Sequence, residues 1–300
     1  MKASQIELEA VVAVAESGGF RAAARELGIS SSAVSHAVAE LEMRLGVRLF
    51  NRTTRSVALS AAGEQFVTSV RPALAAIRSA IEGVDEHRSE PTGILRLNMA
   101  PGAAKIILQP LVLEYLRRHP GVGVEIKSEN ALVDVVGQGF DAGVRAADIV
   151  PPDMIAVPIL RTMRSLVVGA PSYFEGRARP TTPADLLAHR CIRARMPSNS
   201  LYRWDFTRRG ETIEVDVPGA LTLDDSDLML IAALAGEGLT YLSEHAVAPQ
   251  IAAGRLIAVL EDWTPAYPGL CLYYPSRRNL PAKLRAFIDL LKEQVAAGRL

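Results

Sequence analysis

Apolar residues recur through the first 45 positions at the three- and four-residue spacing of helices. Ser4 and Glu7 form the Ser-x-x-Glu pattern of a capping box. Leu8, Val11, Val12 and Ala15 follow on one face, which predicts a first helix stopped by Gly18 and Gly19. The alanine-rich stretch 21–27 predicts a second, ended by Gly28 in a left-handed cap. Ser30 suits the N-cap of a third, which runs to about Leu45 and ends at Gly46. A short turn between two helices, the second presenting small polar side chains near its start, is the helix-turn-helix pattern. Ala23, Ala24 and Leu27 would bury against Val34, Val38 and Leu41, leaving Ser31, Ser32, Ser35, His36 and Ala39 outward.

Between 49 and 60, hydrophobic residues flank a polar, basic tip, which reads as a two-stranded wing. Ser60 can cap another helix, along which Phe66, Val70, Leu74, Ile77, Ile81 and Val84 form a long, narrow apolar seam. Such a seam between two domains calls for a partner helix, hence a homodimer; Pro72 within it should kink or locally loosen the helix. Residues 88–93 contain Pro91 and Gly93 among polar neighbours and read as a hinge. Beyond them the pattern alternates. Strands are predicted at 94–98, 122–127 and 140–145, and helices at 102–118 and 132–137. Strands near 166–168, 213–217 and 270–274, with helices at 183–188, 227–235 and 281–297, continue it. The fold expected there is α/β with a largely parallel sheet.

The chain has 300 residues, enough for two or three domains, and 49% of them are hydrophobic, which excludes disorder. Lys2, Gln5 and Glu7 leave no apolar leader, and no run of about 18 apolar residues spans a membrane, so the expected location is the cytoplasm. Cys191 and Cys271 lie far apart without metal-ligand spacing; inert thiols are expected, with no metal and no cofactor. No GxSxG, HExxH, P-loop or GxGxxG motif occurs, since Gly236-Glu237-Gly238 lacks the third glycine, and no catalytic residue is assigned. Thirty-three basic residues balance 33 acidic ones, yet 43–60 carries Arg44, Arg48, Arg52 and Arg55 without one carboxylate. A local basic patch suffices for DNA. Ser31, Ser32, Ser35 and His36 would meet base edges in the major groove, and Arg52 and Arg55 phosphates or the minor groove. Arg21, Thr53 and Thr54 complete the candidate DNA contacts. None of the groove-facing side chains makes a bidentate contact to guanine, so DNA shape carries part of the selectivity.

The run FRAAARELGISSSAVSHAVAELEMRLGVRLFNRTTRSVALSAAG resembles the N-terminal domain of LysR-type transcriptional regulators. The segments DVVGQGFDAGVR, LYRWDF, AALAGEGLTYL and LYYPSRR…LRAFIDLL resemble the effector-binding domain of the same family. The resemblance implies a winged helix-turn-helix over 1–60, a linker and dimerisation helix over 61–88, a hinge at 89–93 and an effector domain over 94–300. That domain would hold two α/β subdomains like a periplasmic solute-binding protein, one from 94–161 plus 267–300 and one from 162–266. The family often has Gln and Pro where this chain has Ser31 and Ser32, and proline where it has Ser243. Partners implied are double-stranded DNA, a small-molecule effector and further copies, as homodimer and homotetramer; a contact with RNA polymerase stays open, and no membrane is involved. Ligands of such folds bind beyond the carboxyl ends of the strands. Candidate effector residues are Pro101, Gly102 and Ala103 at a helix N-terminus suited to a carboxylate, Ser128, Asn130, and Arg145 as a bidentate partner. Trp204, Asp224 and Asp225 face them from the second subdomain. Two alternatives remain open: a free-standing solute-binding protein, disfavoured by the DNA module, and a DNA-binding protein of this type without a small ligand.

Overall fold

The structure, a computed structural model, describes residues 3–52, 57–84, 90–275 and 280–300. It divides into two compact units, Met1–Pro91 with Val133–Asp141 and Arg277–Ala282, and Thr92–Leu132 with Ala142–Ser276 and Lys283–Leu300.

In the first unit the capping box forms. Glu7 N–H donates to Ser4 Oγ at 3.4 Å and Ser4 N–H to Glu7 Oε2 at 2.8 Å, starting α1 (Gln5–Ser17). α2 (Phe20–Leu27) and α3 (Ser31–Leu45) follow, with Ser30 Oγ accepting the Ala33 N–H at 3.1 Å. Gly46 closes α3 at φ 69°, a conformation that glycine adopts without the Cβ penalty. Ala10, Val14, Ala23, Val34, Val38 and Leu41 form the core, and the small side chains let the three helices approach closely. β1 (Phe50–Arg52) and β2 (Val57–Leu59) pair antiparallel as the wing. α4 (Ala61–Val84) continues through Pro72 as one helix, although Pro72 offers no N–H to the carbonyl four residues back. Its seam is not left wholly to a partner: Val67 and Phe66 pack into the unit's own core, because the first turns of α4 lie along α1. Ile77 is exposed.

The second unit is built around separate sheets, of which the five-stranded and the three-stranded one define a first and a second lobe. The first is built on β3 (Gly93–Met99), a helical run of α5 (Pro101–Ile107) and α6 (Glu114–Arg118), β4 (Val122–Ser128), β5 (Ala142–Ala146) and β6 (Ile155–Pro158). Between α5 and α6 the backbone widens into a π-helical stretch at Leu108–Leu113 around Pro110, which has no N–H for a regular helical bond. The chain crosses to the second lobe at β7 (Thr162–Met163). That lobe contains β8 (Ser165–Gly169), β9 (Ile192–Ala194), the hairpin β10 (Trp204–Arg208) and β11 (Glu211–Val215), and β12 (Leu221–Leu223). α7 (Ser226–Leu234), β13 (Thr240–Ser243), α8 (Glu244–Ala252) and β14 (Ile257–Val259) complete it. The chain returns through β15 (Tyr267–Pro268), antiparallel to β7, to β16 (Leu270–Tyr274) and α9 (Ala282–Ala296) in the first lobe.

The first sheet has the order β4-β3-β5-β16-β6. β3 runs parallel to β4 and β5, whereas β16 is antiparallel to both β5 and β6. Four of the five strands therefore run in one direction, as expected of a largely parallel sheet, and β16 alone opposes them because it re-enters the sheet after the excursion through the second lobe. The second lobe adds the antiparallel order β13-β8-β14. No helix forms at 132–137, where a turn takes its place: Asp134 Oδ1 accepts the Gly137 N–H at 2.9 Å, and Gly139 sits at φ 75°. The predicted helix at 183–188 forms over Pro183–Ala188 as a 3-10 helix. Among the described residues, no helix is long and apolar enough to cross a membrane.

Candidate nucleic-acid interface and ligand cleft

α3 carries the predicted reading face. Val34, Ala37, Val38 and Leu41 hold one side in the core, and Ser31, Ser32, His36 and Ala39 are exposed on the other, with Ser35 half-buried between them. Ser30 Oγ and Ser32 Oγ lie 2.9 Å apart at the helix start. His36 Nδ1 lies 3.6 Å from Glu40 Oε1 one turn on, so a carboxylate stands beside the candidate base contact. Arg21 is exposed at the start of α2. Thr53, Thr54, Arg55 and the side chain of Arg52 lie outside the described residues.

The basic run is smaller than its arginine count. Arg44 pairs with Glu7, whose carboxylate is buried, and so the last turn of α3 is tied to the capping box of α1. Hydrogen bonds from the Arg44 guanidinium and from the Ser4 backbone hold the Glu7 carboxyl down at about 2. Arg44 is thus committed inward, while Arg48 is exposed. Glu42 Oε1 accepts the N–H of Leu49 at 2.7 Å and of Phe50 at 3.1 Å, fixing where the wing begins. The wing is also fastened to α4. Ser60 Oγ donates to the Arg48 carbonyl at 2.7 Å and accepts the Gly63 N–H at 3.0 Å. A Cβ on Gly63 would lie 2.0 Å from the Leu49 carbonyl oxygen, a close approach only glycine permits. About two turns further along α4, Arg71 Nε stands 2.9 Å from Glu16 Oε1 of α1.

In the second unit some of the predicted effector residues are exposed and others are buried. Pro101, Gly102 and Ala103 start α5, whose N-cap Ala100 gives no side-chain bond and whose first turn has no acid; Ala103 is buried, Gly102 exposed. Ser128 ends β4 and Asn130 follows it, both exposed. Asn130 Nδ2 donates to the Asp224 carbonyl of the other lobe at 3.4 Å. Asp225 caps α7, accepting the N–H of Asp227 at 2.8 Å and of Leu228 at 3.0 Å. Arg145 is not poised for a ligand. It is 3% exposed and its guanidinium donates to Asn98 Oδ1 at 2.7 Å and to the carbonyls of Ala131 at 2.8 Å, Val144 at 2.9 Å and Glu129 at 3.2 Å. Asn98 in turn donates to Glu129 Oε1 at 2.6 Å, so Arg145 anchors the loop that carries Asn130. Burial lowers the Arg145 pKa. Trp204 is 0% exposed in the second-lobe core with Phe206, Tyr173 and Leu186, and Tyr241 lies against it at 5.6 Å.

Two surface cavities stand elsewhere. One of about 160 Å³ is lined by Leu8, Leu41, Leu45, Phe66 and Val70 among others, and one of about 260 Å³ by Arg208, Arg209, Glu211 and Trp263. None of the predicted effector residues lines either. Cys191 and Cys271 are free and buried, and burial pushes the Cys191 thiol up to about 12. Among the described residues no group of three His, Cys, Asp or Glu side chains is arranged to hold a metal.

Comparison with known proteins adds to this geometry. The family model described as "Bacterial regulatory helix-turn-helix protein, lysR family" matches residues 6–64, and the "LysR substrate binding domain" matches residues 88–296. An uncharacterized HTH-type transcriptional regulator of Escherichia coli K12, YcaN, is 42% identical over 292 residues, covering 97% of this chain and 96% of its own. The HTH-type transcriptional regulator PgrR of the same organism is 39% identical over 294 residues, covering 97% of this chain and 98% of its own. Among solved structures, CrgA, a LysR-type transcriptional regulator from Neisseria meningitidis, is 28% identical with a TM-score of 0.59, covering 97% of this chain and 99% of that one. The full-length virulence activator AphB of Vibrio cholerae shares the fold at 22% identity and a TM-score of 0.67, covering 97% of this chain and 99% of that one.

Proposed function

The chain belongs to the LysR family of DNA-binding transcriptional regulators, and from that premise we propose how its parts divide the work. Members join a helix-turn-helix to an effector-binding domain, and this chain carries both. The first two turns of α3 enter the major groove, with Ser31, Ser32, Ser35 and His36 at base edges. Arg21, Arg52, Thr53, Thr54 and Arg55 hold the backbone on either side. The observation carrying this reading is the free polar face of α3 opposite a fully buried apolar one.

The proposed division is a DNA-binding domain over 1–60, a linker helix over 61–88, a hinge at 89–93 and the effector domain beyond, with subdomains at 94–161 plus 267–300 and at 162–266. α4 pairs with its counterpart in a second copy; the exposed Ile77 and the apolar cavity beside Phe66 and Val70 support that. Dimers combine into a tetramer on successive half-sites and bend the DNA, with RNA polymerase within reach. The protein works in the cytoplasm by binding and not by catalysis. A small molecule is the proposed effector, with a carboxylate among the groups that would suit the start of α5. It is held at Pro101, Gly102, Ala103, Ser128 and Asn130, and Asp224 and Asp225 of the other lobe meet its hydrogen-bond donors, with Arg145 and Trp204 as backing. The uncapped start of α5, free of acids, supports it.

The test incubates the purified full-length protein with fragmented genomic DNA at physiological salt and sequences what is bound. A few sites sharing a two-fold symmetric motif are expected. Binding that is absent or indifferent to sequence would overturn the groove assignment.

A further inference from the structure

The chain passes between the two lobes of the second unit at β7 and β15, and among the described residues two further side-chain contacts bridge the lobes. Lys105 on α5 forms an ion pair with Asp227 in the first turn of α7. Asn130, on the loop after β4, donates to the Asp224 carbonyl. Both contacts from the first lobe therefore land on one short stretch of the second, from Asp224, the residue before the N-cap of α7, to Asp227 in its first turn.

Each half of this junction is fixed from behind. In the second lobe, the Asp225 carboxylate ties down the N–H groups of Asp227 and Leu228, which sets the direction of the turn. In the first lobe, Arg145 holds the carbonyls of Glu129 and Ala131, the two neighbours of Asn130. Asp227 also lies where the dipole of α7 favours a negative charge, so its carboxylate is stabilised by its own helix as well as by Lys105.

We propose that Lys105 and Asn130 of the first lobe and the stretch from Asp224 to Asp227 of the second form a clasp that holds the two lobes together. The clasp rests on the reading of this gap as the effector cleft, but its test involves neither DNA nor ligand, so the two fail separately. Lys105 and Asp227 are 53% and 56% exposed, which makes the pair weak and sensitive to salt.

Hydrogen–deuterium exchange on the full-length protein tests it, comparing wild type with Lys105→Gln and Asp227→Asn at low salt and in about 1 M sodium chloride, where exposed charges are screened. Lys105→Gln should speed exchange at 226–229, in the lobe that was not altered, by about two- to five-fold. Asp227→Asn should do the same at 102–107. Reading each variant in the opposite lobe separates the clasp from any loosening of the substituted helix itself. Salt should reproduce the effect in the wild type and add little to either variant. Faster exchange confined to the altered lobe, or a wild type indifferent to salt, would overturn the clasp.

Discussion

Glu7, buried at the start of α1, serves two partners: it completes the capping box with Ser4 and neutralises Arg44 at the end of α3. Its folded-state pKa of about 2 stands below the ordinary 4.5. A depressed carboxyl contributes stability that is present above its unfolded value and is lost as pH falls towards the folded one. Glu7→Gln should accordingly lower the melting temperature at pH 7, and the gap to wild type should shrink as pH drops from about 4.5 towards 2. A gap that persists at low pH would show that packing and not charge is at stake. Arg145 gives a second test. Arg145→Ala strips four acceptors of their donor inside the sheet and should cost about 3 kcal/mol or more in urea unfolding. Sequence revealed that both arginines were present, but not what they face. Arg44 read as part of a basic patch and Arg145 as a ligand clamp because partners 37 positions away, or carbonyls on a returning loop, leave no local pattern.

At the level of elements, the three N-terminal helices were legible almost to the residue, since Ser4, Ser30, Gly18, Gly28 and Gly46 mark their ends chemically. The stretch 132–137 misled because its apolar spacing suits a helix, while Asp134 and Gly139 favour a turn. The direction of β16 had no local signature either, because it depends on the route of the chain through the second lobe. Trp204 was visible as a candidate, but only the pairing of β10 with β11 puts it inside the core. Trp204→Ala should cost about 3–5 kcal/mol by chemical denaturation, the loss expected for a large buried aromatic. The junction of wing and α4 makes another demand. Gly63→Ala must displace the Leu49 carbonyl, and a destabilisation of about 1–3 kcal/mol is expected, with the unfolding midpoint as the readout.

For the whole molecule, base reading and backbone holding should separate in binding assays. Ser35→Ala and His36→Ala are expected to relax sequence preference while sparing affinity for random DNA. Arg52→Ala should weaken binding to every sequence and reduce the slope of log affinity against log salt by about one unit. Equal effects of all three on specific and random DNA would contradict the docking of α3. A ligand that binds the second unit should also shift the DNA footprint; one that leaves footprint and bend unchanged would sever effector from output. The junction through Ser60, Gly63, Val67 and Arg71 has a mechanical consequence. It makes the wing and α4 turn as one body, so α4 acts as a lever whose fulcrum is the reading head. Its 24 residues span about 36 Å at 1.5 Å each. A displacement of about 3 Å at the far end, one base-pair rise, therefore corresponds to a tilt of only about 5° at the DNA.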